Sequence, residues 1–261
     1  MTAFPFTVVD AFTERPFAGN PAAVMLLDAF LDDQDLALLA AEHNYAETAF
    51  LVLESPGVYK LRWFTPTVEV PLCGHGTLAA AHALFTDHER DAALLRFATQ
   101  SGTLTVERGE GGYALDLPTD RSFAQITMPE VEAALGTCPE AVLKGNFLMA
   151  VLPDEAAVRA VQPDLAAVAQ LDADELVVTA PGDKTDFVSR MFGPRIGIPE
   201  DPFTGATHTM LTPYWAERLG KRRLTAHQAS ARGGDAVCED CGDRVRLLGN
   251  AATTMRGHAF F

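Results

Sequence analysis

The chain has 261 residues, 48% of them hydrophobic, a formal net charge of −15 and an isoelectric point near 4.8. That length makes one large domain or two of ordinary size, and the acidic balance sets the surface against phosphate backbones and anionic lipid, so neither nucleic acid nor a membrane is an expected partner. The opening MTAFPFTVVDAF lacks the basic head and long apolar core of a secretory signal, no run reaches the ~18 apolar residues of a membrane helix, and four cysteines do not make a disulfide scaffold; the expected location is cytoplasmic.

Residues 4–10, FPFTVVD, alternate as a strand, and FAGNPAAVML is a Gly-Asn-Pro turn running into a second one. DDQDLALLAAEHN begins with acidic residues and then places Leu36, Leu39 and Ala40 at helical spacing. ETAFLVLE and VYKLRWFTP read as strands. GHGTLAAAHALFTDH is apolar on all sides until His82, the pattern of a buried helix. ALLRFATQSG, TLTVERG and GYALDLP form a meander with glycine-rich turns.

Beyond Pro118 the pattern starts again. MPEVEAALG is a short helix, FLMAVLPDEAAVRAVQPDLAAVAQL mixes a strand with helical spacing, and ELVVTAPG and DFVSRMFGP are strands. GATHTMLTPYWAERLGK is a second apolar helix, followed by strands and turns to the end. The repetition is measurable. Phe64, Pro66, Val68, Val70 and Pro71 stand opposite Phe192, Pro194, Ile196, Ile198 and Pro199 at one offset, 128 (192 minus 64). Each set leads into a glycine-containing turn and an apolar helix. Two similar halves are the expectation, residues 1–118 with 252–261 possibly joined to them, and 119–251, with two half-sites meeting at an interdomain cleft.

The turns carry the chemistry. A helix start presents unpaired N–H groups and partial positive charge, and glycine lets an anion approach closely. CGHGT and TGATH both offer this, so an acidic protein can hold a small carboxylate without arginine. Cys73 lies on the rim of the first turn, where a helix start lowers a thiol pKa; a small buried hydrophobe is the alternative. His75 serves either as a proton-transfer group or as a cap. Glu200 and Asp201 precede the second helix, either complementing its dipole or orienting substrate. Asp201 matches Cys73 at the 128 offset, and three inserted residues bring Thr204-Gly205 opposite Cys73-Gly74. His208, expected one turn into the second helix, either faces the cleft or packs, with packing favoured. Glu47 opens an apolar strand, where a buried carboxylate suits general base or acid work; an exposed turn glutamate is the alternative. CEDC, Cys238 and Cys241, is a lone pair without the further ligands zinc needs, and no metal or nicotinamide fingerprint stands out.

VDAFTERPFAGNPAAV, NYAETAFL, RWFTPTVEVPLCGHGTLAAAHAL, GIPEDPFTGATHTMLTPYWAERLGK and QASARGG together resemble the PhzF-like phenazine-biosynthesis family, relatives of diaminopimelate epimerase. The resemblance implies an α+β fold of two pseudo-symmetric halves, each a curved, mostly antiparallel sheet around one central apolar helix. It implies a cofactor-independent, metal-free enzyme and a homodimer. The base of the family's ET motif falls on Glu47, and its proton-handling His and Asp fall on His75 and Asp201. Asn20, Cys73, Gly74, Gly76, Gly205 and Ala206 are implied in substrate binding; where relatives have a serine hydroxyl this chain has Ala206, with Thr207 the available substitute. The implied activity is isomerisation or epimerisation of a small carboxylic acid by proton abstraction and return. A catalytically silent binding protein of the same fold is the alternative, and a two-base racemase using Cys73 is a third, weakened because Thr204 stands where the second thiol belongs.

Overall fold

A computed structural model describes residues 2–109 and 111–260 of the chain. The first run of elements is β1 (Ala3–Ala11), β2 (Asn20–Leu27), α1 (Asp33–His43), β3 (Glu47–Ser55), β4 (Val58–Phe64), β5 (Glu69–Val70), α2 (Gly74–Asp87), β6 (Leu94–Thr99), β7 (Gly102–Gly109) and β8 (Gly112–Pro118). The second is β9 (Ala124–Ile126), α3 (Pro129–Leu135), β10 (Ala141–Lys144), β11 (Leu148–Val151), α4 (Glu155–Ala160), α5 (Leu165–Val168), β12 (Leu176–Pro181), β13 (Phe187–Gly193), a 3-10 turn (Pro194–Ile196), β14 (Ile198–Asp201), α6 (His208–Leu219), β15 (Arg223–Gln228), β16 (Gly234–Asp240) and β17 (Arg244–Gly249), with β18 (Ala251–Phe260) last. Two compact units result, Met1–Asp116 with Leu248–Phe261, and Leu117–Leu247.

The first unit is a sheet in the order β18-β1-β2-β3-β4-β6-β7-β8, antiparallel except for the β2–β3 and β4–β6 pairs, with β5 also on β4. β18 runs antiparallel along β1, from Ala3 opposite Phe260 to Ala11 opposite Ala251, so the end of the chain closes the sheet its beginning opened. The sheet wraps α2, which touches β1, β2, β3, β7 and β18. Leu78, Leu84 and Phe85 of α2 are fully buried, each contributing about 2 kcal/mol of transfer free energy. His82 ties α2 to two strands, through the Tyr113 hydroxyl at 2.9 Å and the Thr253 hydroxyl at 3.0 Å. α1 covers the outer face with Leu36, Leu39 and Ala40 against Met25, Leu27 and Phe50.

The second unit repeats the pairing scheme with β9, β10, β11, β12, β13, β15 and β16 in the places of β18, β1, β2, β3, β4, β6 and β7. Again two pairs are parallel, β11–β12 and β13–β15. The register repeats as well: Thr48 faces Phe64, and Leu176 faces Phe192, both at the 128 offset. Its outer face carries α3, α4 and α5 over the apolar side of β10–β13. The fold is α+β, each unit a mostly antiparallel sheet with an apolar helix.

One boundary differs from the sequence reading. The second helix begins at His208, because residues 205–207 form a tighter turn in which the N–H groups of His208 and Thr209 reach back three residues to Gly205 and Ala206. Inside α6, Pro213 has no N–H to offer Thr209. The Thr209 carbonyl accepts instead from the Asp120 N–H at 3.0 Å, which anchors the connection between β8 and β9.

Candidate functional site

In the first unit the turn between β1 and β2 is bent to deliver Asn20. Phe12, Phe17 and Gly19 all take positive φ, and the Asp10 carboxylate holds the Phe17 N–H at 2.7 Å. Gly19 is obligatory there, because a Cβ would fall 2.1 Å from the Ala11 carbonyl oxygen. Asn20 starts β2, fully buried, and its Nδ2 donates to His75 Nδ1 at 3.0 Å.

His75 is the second residue of α2 and almost fully buried. Its Nε2 lies 2.9 Å from Oε2 of Glu47, the first residue of β3. Neither of these two buried atoms has a properly directed hydrogen bond, so the contact is a close ion pair with off-line geometry rather than an aligned bond. Burial works to lower the His75 pKa, but its contacts with Cys73 and Glu47 outweigh it and hold the ring well above the ordinary histidine value.

Cys73 is the N-cap of α2. Its Sγ accepts from the Gly76 N–H at 3.2 Å, and its carbonyl accepts from the Thr77 hydroxyl at 2.5 Å. The thiol is buried and lies 3.6 Å from His75 Nδ1. The lowered pKa expected from the helix start is not found: burial, with the Glu47 charge adding to it, pushes the thiol up to about 11. A neutral thiol that accepts a backbone hydrogen bond is a cap. Gly74 and Gly76 belong to the same turn, and a Cβ on Gly76 would meet Cys73 Sγ and Trp63 Cδ1 at 2.9 Å each.

Among the described residues, Glu47, Cys73 and His75 also form a group of metal-donor types, their atoms within 4.8 Å of one another. The sulfur and the carboxylate, however, sit against opposite ring nitrogens. One imidazole nitrogen therefore faces only one of them, and the cluster is better arranged to pass a proton than to ligate an ion.

In the second unit Asp201 ends β14, 3% exposed, and its Oδ2 accepts the Thr204 hydroxyl at 2.5 Å. Thr207 donates its hydroxyl to the Thr204 carbonyl at 2.8 Å, which engages the group read as a substitute for a hydroxyl at Ala206. Gly205 and Ala206 lie in the turn just ahead of α6. His208 donates from Nδ1 to the Thr204 carbonyl at 2.9 Å and stacks on Phe203 at 4.8 Å. Burial drives its pKa down to about 4, so it is a neutral packing residue.

Glu200, the neighbour of Asp201, is the bidentate partner of Arg190, at 2.7 and 3.0 Å, and its orienting role is structural. Arg190 also donates to the carbonyls of Val158 and Val161 and lies over the Phe192 ring. Arg62 does the same in the first unit, bidentate to Glu69 at 2.7 Å and over Phe64. Arg62 and Arg190 are separated by the same 128 positions as Phe64 and Phe192, a signal the hydrophobic pattern alone overlooked. Gln228, also overlooked, is fully buried behind the Asp201 turn. Cys238 is buried in β16 and Cys241 exposed, both free thiols.

A family model described as phenazine biosynthesis-like protein matches residues 9–257. An uncharacterized isomerase of Pseudomonas aeruginosa is 48% identical over 253 residues, 97% of each chain. The crystal structure of a phenazine biosynthesis protein of the PhzF family from Enterococcus faecalis matches with a TM-score of 0.92 at 43% identity, covering 100% of both chains. A hydroxyproline epimerase from Agrobacterium vitis, at 10% identity and a TM-score of 0.64 over 99% of this chain and 91% of its own, shares the fold alone. The chain therefore belongs to the phenazine biosynthesis-like protein family and is, in kind, an isomerase.

Proposed function

We propose that the protein isomerises or epimerises a small carboxylic acid without a cofactor, with Glu47 as the base. The carrying observation is the buried Glu47 carboxylate, 2.9 Å from His75 at the head of α2. Glu47 takes a proton from a carbon next to a carboxylate-stabilised or conjugated centre. The electron pair of that C–H bond passes into the conjugated system. The proton on Glu47, exchangeable with solvent, is then delivered on the same face to another carbon of the system, giving an isomer; for epimerisation the original carbon is instead protonated on its other face by a second acid, and Glu47 releases its proton to solvent. His75 stabilises the developing negative charge, and Asn20 orients its ring. The start of α2, around Gly74 and Gly76, contributes partial positive charge for an anionic group. In its own unit, Asp201 is assigned to proton handling, and the backbone of Gly205, Ala206 and Thr207 at the start of α6 to binding a carboxylate. A neutral Cys73 engaged as a cap speaks against a thiol base. The family resemblance adds a homodimer, which light scattering tests against the 28.1 kDa of one chain.

The test is deuterium uptake. Protein and Glu47→Gln are incubated in D2O with a panel of cyclic and amino carboxylic acids and read by mass spectrometry and NMR. Uptake or isomerisation with the unmutated protein alone supports the assignment. Uptake by both proteins removes Glu47 from the role of base. Tight binding of a panel acid without turnover by either would make the protein a binder.

A further inference from the structure

Gln228 closes β15 with no exposed surface, and each polar atom of its amide is engaged. Oε1 accepts the Thr204 N–H at 2.9 Å. Nε2 donates to the Asp201 carbonyl at 2.8 Å and to the Thr204 hydroxyl oxygen at 3.3 Å. The backbone fixes which way this amide faces. Turned over, it would set an N–H against the Thr204 N–H and an oxygen against the Asp201 carbonyl, two repulsions in a buried place. Its NH2 therefore always points at the Thr204 oxygen.

An amide N–H can only donate, so the Thr204 oxygen is an acceptor on that side. Its single hydrogen is left for Asp201 Oδ2, 2.5 Å away. The direction of the chain is thus set from the buried end, Gln228 to Thr204 to Asp201. We propose that Gln228 is a positioning residue that aims the Thr204 hydroxyl at Asp201 and keeps that carboxylate a hydrogen-bond acceptor before any ligand arrives. Its consequence for catalysis rests on the assignment of Asp201 to proton handling; its geometry does not. The first unit has no such device at the matching place, the end of β6, where Thr99 bonds the Gly102 carbonyl in an exposed turn.

Gln228→Glu keeps the shape and reverses the polarity. An ionised carboxylate at that place accepts from the Thr204 hydroxyl and draws it off Asp201. Asp201 is followed by its carboxyl 13C resonance at pH 7, assigned by its loss in Asp201→Asn. Thr204→Val marks the position of a carboxylate without the hydroxyl donor. The expected result is that Gln228→Glu carries the resonance most of the way to the Thr204→Val position. A Gln228→Glu signal that superposes on the native one while Thr204→Val is displaced overturns the proposal, and so does a Thr204→Val signal that does not move.

Should Gln228→Glu fail to fold, the native protein still decides. The Nε2 protons of Gln228 should exchange slowly with solvent, and the Thr204 amide should be protected. Rapidly exchanging side-chain protons overturn the proposal. None of these measurements involves a substrate, so failure here and failure of Glu47→Gln to abolish deuterium uptake are separate results.

Discussion

Two central helices begin in matching places and do different work. At the head of α2 the Thr77 hydroxyl reaches back to the Cys73 carbonyl; at the head of α6 His208 Nδ1 reaches back to the Thr204 carbonyl. Allowing for the three inserted residues, Thr77 and His208 are equivalent (131 apart), and so are Cys73 and Thr204. The shared bond belongs to the fold. The differences are electrical. The histidine of the first turn faces a carboxylate and is held above its ordinary pKa, whereas that of the second is packed among Phe187 and Phe203 and falls to about 4. One scaffold, used twice, has a charged cluster at one start and a dry aromatic core with a fixed amide at the other.

The sharpest break in this comparison is between Glu47 and Glu175, which stand 128 positions apart, each one residue before the first facing pair of β3 with β4 or of β12 with β13. Glu47→Gln should lower proton exchange by roughly 10²- to 10⁴-fold, the usual worth of a positioned base. Glu175→Gln should leave it unchanged; an equal loss in both would make the two units chemically equivalent.

Next in size are the two arginine clamps. Arg190→Met strands Glu200 and the Val158 and Val161 carbonyls, and should cost about 3 kcal/mol in urea unfolding. Arg62, whose side chain is 20% exposed, should cost about 1 kcal/mol when changed to Met. Equal losses would show that exposure does not separate them.

The histidines should give pH slopes of opposite sign. His208 has a depressed folded-state pKa, so the unfolded chain binds the extra proton between about 6.5 and about 4. Stability is full above that window and declines by about 3 kcal/mol as pH falls through it. His208→Phe should remove this decline from urea midpoints measured between pH 7 and 4. His75 has a raised folded-state pKa, so its contribution is complete below about 6.5 and is lost as pH rises through the folded value. His75→Asn should flatten that alkaline limb.

The smallest effect is expected at Cys73. Cys73→Ala removes the cap acceptor and should cost about 1 kcal/mol, with deuterium uptake retained. Loss of uptake at unchanged stability would restore a catalytic thiol.

Much of this was legible in the residues. The F-x-P-x-[VI]-x-[VI]-P repeat gave the doubling, and the apolar helices were plain because neither GHGTLAAAHAL nor HTMLTPYW has a polar stripe. Glu47 was visible as a carboxylate opening an apolar strand. What escaped was long-range pairing. Asn20 and His75 are 55 positions apart, and Thr204 and Gln228 are 24 apart. No local pattern marks a glutamine at a strand end as the partner of a turn. The sequence left Cys73 open between an activated thiol and a buried one, because a helix start is a local feature, while burial and the Glu47 charge come from the rest of the unit.

The sequence by itself determined the periodicities, the two apolar helices and the repeated strand–turn–helix units, since these depend on spacing along the chain. The tertiary structure decided which polar groups share a dry environment. That choice set a histidine of raised pKa against Glu47, a neutral one against Phe203 and a capping role for Cys73, because desolvation and charge act through space and take no account of chain distance.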